Sequence, residues 1–316
     1  MWAYRLQQPK VVERIVLPEG RAPLARGDVR VRLTAAGLCG SDMPRFLGTH
    51  GPGVDGTYGL APVHEVVGEV VEATTAQFAS GQRVVGALGR DGGLAEYVVA
   101  DGSRLVAVPE ELNDVEAVSV QSLATILRAA SKLPEPVGKR AVVLGAGPIG
   151  LAFCHVLKHY GTAQVTAIDP VDRTGTAEAF GADRFFHMTS AEWLKTLKVA
   201  DRPDIVIEAV GHQQATLRDA ILGVADHGFV FGFGEPDDVN YEVPYEELYL
   251  RDATLASGRT TTEWPQVLSA AGDYLLRYRG DFGAYISHVI DAKEAQRAYS
   301  LYAQPQVGRL KVVMVP

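Results

Sequence analysis

Residues 141–150 read Ala-Val-Val-Leu-Gly-Ala-Gly-Pro-Ile-Gly, and the fold turns on how this stretch is read. Ala141 to Leu144 is a short apolar run of the kind buried on both faces of a sheet. Gly145, Gly147 and Gly150 then set the spacing G-x-G-x-x-G, and Ile149 to about Tyr160 follows as a helix-forming segment. Three glycines at this spacing recur by chance, but a buried strand before them and a helix after them make the motif specific. In that setting the glycines serve a tight turn, close approach to a pyrophosphate and helix–sheet packing. The helix N-terminus opened by Pro148 and Ile149 then faces the phosphates. The stretch predicts a dinucleotide-binding, doubly wound parallel sheet of the Rossmann type.

Working outward, Asp169 follows Gly150 by 19 residues and ends the next apolar run, Gln164 to Ile168. A carboxylate at about this separation binds the adenosine ribose hydroxyls, which predicts NAD over NADP because a 2′-phosphate would face its negative charge. Arg173 lies close enough to bear on that choice. Further apolar runs at Asp204 to Glu208 and Gly228 to Phe231 alternate with helical stretches, as a parallel sheet covered on both faces requires. On the N-terminal side the texture differs. Val29 to Leu33, Val66 to Val71, Arg83 to Val85 and Leu94 to Val99 are short strand-like runs separated by glycine turns, the pattern of a small antiparallel barrel. Glu116 to Ala130 favours a helix, and Pro134 and Pro136 interrupt it. After Gly258 come a helix from Pro265 to Tyr278, a strand from Tyr285 to Ile290, a helix from Ala292 and a last strand from Leu310 to Val315. The expected division is residues 1–124 and 263–316 in one domain and residues 125–262 in the other.

The chain has 316 residues, long enough for two cores, and 47% hydrophobic with 22% charged residues is an ordinary globular composition. No apolar run is long enough to cross a bilayer and the first residues lack a secretory signal pattern, so a cytoplasmic protein with no membrane partner is expected. The formal charge of −8, without a cluster of bases, argues against nucleic acid. Two cysteines, Cys39 and Cys154, exclude a disulfide framework.

The order Gly37-Leu-Cys-Gly-Ser-Asp42, His64-Glu65, Gly81-Gln-Arg-Val84, Gly92-Gly-Leu-Ala-Glu-Tyr97, Gly145 to Gly150, Glu208-Ala-Val-Gly211 and Gly308-Arg-Leu-Lys-Val-Val313 resembles the medium-chain dehydrogenase/reductase family over nearly the whole chain. Its motifs look most like the polyol, sugar and threonine dehydrogenase branch. The resemblance implies a GroES-like β-barrel catalytic domain beside the Rossmann domain. It also implies a catalytic zinc held by Cys39 and His64, with Gln121 of Gln121-Ser-Leu123 at the position of a third ligand. A thiolate and an imidazole leave zinc an open position for an alcohol, whose pKa falls on binding. By the same resemblance Glu65 is an outer group or alternative ligand, Asp42 orients a ligand imidazole, and Ser41 hydrogen-bonds the substrate oxygen and passes its proton outward. Val210 and Gly211 join Gly145, Gly147, Pro148, Ile149, Gly150, Asp169 and Arg173 in holding the cofactor. His50 is a candidate extension of the proton relay.

The sequence departs from the family at three places. The four cysteines of a structural zinc lobe are missing, Val63 replaces a glycine before His64, and Gln82 replaces an aspartate before Arg83. The implied function is NAD-dependent, zinc-assisted oxidation of a secondary alcohol on a sugar, polyol or cyclitol, with a small polyhydroxylated substrate and a homodimer or homotetramer built on the sheet edge near Arg251 to Arg259. A zinc-independent NAD(P)H-dependent reductase and a non-catalytic NAD-binding protein remain as alternatives.

Overall fold

A computed structural model describes residues 1–18, 23–49, 58–89, 92–259 and 262–316. The chain divides into two compact units, the first Met1–Ala124 with Thr262–Pro305 and Arg309–Pro316, the second Thr125–Thr261 with Gln306–Gly308.

The first unit opens with a hairpin, β1 (Trp2–Gln8) against β2 (Val11–Val16), turned through Pro9 and Lys10, the latter at φ 66°. Its main sheet uses β3 (Asp28–Gly37), β4 (Glu65–Ala73), β5 (Arg83–Ala87), β6 (Tyr97–Asp101) and β7 (Leu105–Ala107). The long β3 pairs antiparallel with both β4 and β6, and two register shifts against β4 bend it as bulges do. Inward residues of these strands, among them Val31, Leu33, Val66, Val70, Val84 and Val98, form one apolar core with Tyr4, Phe46, Leu94 and Tyr299. The sheet is therefore hydrophobic on the face that the hairpin and C-terminal helix cover. Val63 joins this core, fully buried, and its carbonyl accepts from the Gly93 amide at 2.9 Å. Gln82 takes over a turn-capping task, its Oε1 accepting from the Ala79 amide at 3.0 Å. Both departures from the family pattern are thus absorbed locally.

The second unit is a six-stranded, wholly parallel sheet of β8 (Arg140–Leu144), β9 (Gln164–Asp169), β10 (Arg184–His187), β11 (Ile205–Glu208), β12 (Phe229–Gly232) and β13 (Thr254–Ser257), in the order β10-β9-β8-β11-β12-β13. The order reverses between β8 and β11, the switch point where such sheets bind ligands at their carboxyl ends. Helix Pro148–His159 packs on β8 and β9, and its buried residues Leu151, Phe153, Cys154 and Val156 show why an apolar helix is needed there. Burial pushes the Cys154 thiol up to about 12, leaving it protonated and inert.

The remaining strands, β14 (Ile286–Asp291) and β15 (Lys311–Val315), return to the first unit and complete a seven-stranded sheet in the order β14-β15-β3-β4-β5-β7, with β6 on β3. The segment expected as one helix over Glu116 to Ala130 is two, Asp114–Ala117 and Ser119–Ala130, the first closed by a capping box of Asn113 and Glu116. Among the described residues no helix is long and apolar enough to cross a membrane.

Candidate metal centre and dinucleotide cradle

β3 ends at Gly37, and its antiparallel register sets Gly37 opposite Glu65, the first residue of β4. Two residues beyond Gly37 the chain turns at Cys39 into a 3-10 turn, Gly40–Asp42. Ser41 is half-buried on this turn and Asp42 is buried. Asp42 fixes the local geometry twice: Oδ2 accepts from the Cys39 amide at 2.8 Å, and Oδ1 lies 2.8 Å from His64 Nδ1. The imidazole then keeps Nε2 available. As a result one ligand atom each from Cys39, His64 and Glu65 lies within 4.8 Å of the others. Burial pulls the His64 pKa down, but the Asp42 carboxylate beside it, with Cys39, more than reverses this and holds it well above the ordinary imidazole value. Gln121 is buried on the helix Ser119–Ala130. His50 lies outside the described residues.

Glu65 has a further partner from the far end of the chain. Lys311, the first residue of β15, donates from Nζ to Glu65 Oε1 at 2.6 Å and also contacts Oε2. Glu65 is 0% exposed and Lys311 1%, so each charge depends on the other for compensation. Burial raises the Glu65 pKa, and the Lys311 and His64 charges pull it back only in part. Burial depresses Lys311, but the Glu65 charge outweighs it and the ammonium is held above its ordinary value. A Cβ at Gly37 would collide with Glu65 Oε2 and Val118, which is why the strand position opposite the pair has no side chain. Nearby, the Tyr285 hydroxyl lies 3.2 Å from Ser122 Oγ and burial pushes it up to about 12. The visible signal for Lys311 was a lysine inside the apolar run Leu310 to Val315.

In the second unit the glycine turn has the geometry its spacing implies. Gly145 sits at φ 92°, and a Cβ at Gly150 would collide with the Gly145 carbonyl oxygen, so both positions require glycine. Gly147 precedes the helix that Pro148 and Ile149 open. Asp169, at the end of β9, accepts from the Ala146 amide through Oδ2 and from the Val171 amide through Oδ1, each at 2.7 Å. The carboxylate is thereby tied to the turn itself. Arg173 is buried just before the helix Thr174–Ala179. At the end of β11, Val210 is 40% exposed and the Gly211 amide donates to Glu208.

Two family models match the chain: residues 25–110 fit the alcohol dehydrogenase GroES-like domain and residues 148–272 the zinc-binding dehydrogenase domain. A sorbitol dehydrogenase of Bombyx mori is 27% identical over 82% of this chain and 83% of its own length. An (R,R)-butanediol dehydrogenase of Bacillus subtilis is 32% identical over 49% of this chain and 55% of its own. The solved alcohol dehydrogenase TADH of Thermus sp. ATN1 superposes over 100% of both chains with a TM-score of 0.85 at 24% identity. A GroES-like unit joined to a parallel nucleotide-binding sheet defines a two-domain dehydrogenase. The chain belongs to the medium-chain dehydrogenase/reductase family, among its zinc-type alcohol dehydrogenase-like members, and acts on CH–OH groups.

Proposed function

We propose that the chain catalyses the NAD-dependent, zinc-assisted interconversion of a secondary alcohol on a sugar, polyol or cyclitol with the corresponding ketone. The observation that carries this reading is the convergence of Cys39, His64 and Glu65 on one point, with His64 oriented by Asp42. Around a tetrahedral zinc with bonds of about 2.0–2.3 Å, donor atoms stand about 3.3–3.8 Å apart, so a cluster within 4.8 Å needs only small side-chain movements to close on the ion. Cys39 and His64 would be the two fixed ligands, and Glu65 or Gln121 would supply the third, an oxygen donor. Zinc held there supplies Lewis acidity that lowers the pKa of a hydroxyl, and a bound dinucleotide supplies the hydride acceptor.

The remaining work falls to this chain's own groups. Asp42 keeps the His64 tautomer that offers Nε2, Ser41 accepts the hydroxyl proton and passes it outward, and Lys311 offsets the Glu65 charge. The Gly145–Gly150 turn and helix N-terminus receive the pyrophosphate, and Asp169, released from one amide, the ribose hydroxyls.

The test is NADH formation from a panel of polyols, sugars and cyclitols, run in parallel with NADP. Turnover with at least one such substrate is expected, with NAD preferred about 10-fold or more because Asp169 repels a 2′-phosphate. Bound NAD with no hydride transfer from any member of the panel would contradict the reading.

We extend the same reading to a homo-oligomer. Among the described residues β13 ends its sheet with no further strand beside it, and Tyr245, Tyr249 and Leu250 on the preceding helix are exposed. Light scattering after gel filtration is expected to give the mass of a dimer or tetramer, and a monomer at micromolar concentration would contradict this.

A further inference from the structure

Glu208 is a buried carboxylate, 3% exposed, at the carboxyl end of β11, and three donors converge on one of its oxygens. Oε1 accepts from the Val210 amide at 3.0 Å, the Gly211 amide at 3.0 Å and Thr216 Oγ1 at 2.8 Å. Its main-chain carbonyl accepts two more amides, from Phe233 at 2.9 Å and Gly234 at 3.0 Å, beyond the end of β12. The loop after β11 is thus pinned from the last residue of the strand. It is also wedged. A Cβ at Gly234 would collide with the Gly211 backbone, one at Gly211 would meet Glu235, and one at Gly145 would meet Val210 Cγ2 at 2.8 Å. The His212 amide completes the closure by donating to the Glu235 carbonyl at 2.7 Å.

The sheet order says which part of a dinucleotide this loop meets. β9, with Asp169, lies on one side of β8, and β11 lies on the other. A dinucleotide whose pyrophosphate sits on the glycine turn after β8 and whose adenosine ribose meets Asp169 after β9 must run its other nucleoside over the end of β11. Val210, exposed there and packed beside Gly145, presents an apolar surface at that place.

Resting on the dinucleotide reading of the Gly145–Gly150 turn, we infer that Glu208 is the positioning residue for the nicotinamide half of the cofactor, acting through the Val210 and Gly211 amides that its carboxylate holds in place. It sets the loop's shape and does not touch the cofactor. An alanine here frees the Val210 and Gly211 amides at once, while the Thr216 hydroxyl keeps only the Gln213 carbonyl at 3.4 Å, and a buried unpaired donor forces the loop to rearrange.

The experiment is calorimetric titration of the full chain with NADH and, separately, with ADP-ribose, which keeps the adenosine and pyrophosphate but lacks the nicotinamide. Wild type is expected to bind both. Glu208→Ala is expected to weaken NADH binding about 10-fold or more while leaving ADP-ribose within about 2-fold, and Glu208→Gln, whose amide oxygen still accepts, is expected to restore most of the NADH affinity. Equal weakening of both ligands, or no change in either, overturns the inference. If Glu208→Ala does not fold, Thr216→Val decides instead: a selective loss of about 3-fold for NADH supports the inference, and parallel or absent losses overturn it. A wild-type chain that binds neither ligand overturns the dinucleotide reading itself, a result distinct from all the variant outcomes.

Discussion

Cys39→Ala is expected to lower kcat by about 1,000-fold on whichever polyhydroxylated substrate the wild type oxidises. The cluster holds one thiol, one imidazole and one carboxylate, and the carboxylate is already compensated by Lys311. Removing the thiol takes away one of the two fixed ligands, and zinc retention at neutral pH falls with it. Loss of Lewis-acid assistance worth about 4 kcal/mol corresponds to that factor in rate. Cys39 is only half-buried, so the substitution leaves little cavity and the fold is expected to survive. Initial rates with NAD, checked against an unchanged unfolding midpoint, make the measurement. Wild-type turnover in Cys39→Ala would mean that the carbonyl or hydroxyl is polarised without metal, as in the zinc-independent reductase alternative.

Lys311→Met is expected to destabilise the protein by about 3–5 kcal/mol, the range for breaking a buried ion pair from one side. Glu65 is 0% exposed and Lys311 supplies its cation, so the methionine variant strands a carboxylate in a site that burial already disfavours. Removing both charges is different in kind. Glu65→Leu combined with Lys311→Met replaces the pair with apolar volume and is expected to recover most of the loss. Urea unfolding of metal-stripped protein reads this without interference from the cluster. A single variant within about 1 kcal/mol of wild type would show that water reaches the pair.

Much of this was legible in the residues. The glycine turn, Asp169, and the strands β8, β9, β11 and β12 announce themselves because strands buried on both faces are continuous apolar runs and the turn tolerates no side chain. Two strands of the same sheet did not. β10 is Arg-Phe-Phe-His and β13 is Thr-Leu-Ala-Ser, neither with a fully buried residue, and edge position removes the apolar signal. The hairpin of β1 and β2 carries a weak signal for a related reason: charged residues interrupt its alternation, and the turn depends on Lys10 adopting a positive φ that nothing in its side chain advertises.

At the candidate metal centre, Cys39, Asp42, His64 and Glu65 sit in two short motifs that carried the family resemblance, and one strand register brings the two motifs together. Lys311 is 246 residues from Glu65, and no local rule pairs them. The only hint was a lysine where a core strand expects an apolar side chain. Glu208 was equally hidden, since its role lies in what its carboxylate holds and is visible only once the Val210 and Gly211 amides are seen to converge on it.

Catalysis as proposed depends on a zinc ion held by Cys39 and His64. Elemental analysis of protein purified without a metal-affinity tag or chelator tests this most directly, comparing wild type with Cys39→Ala. About one zinc per wild-type chain, and close to none in the variant, is the expected result. No zinc in either protein, with hydride transfer intact, would contradict it.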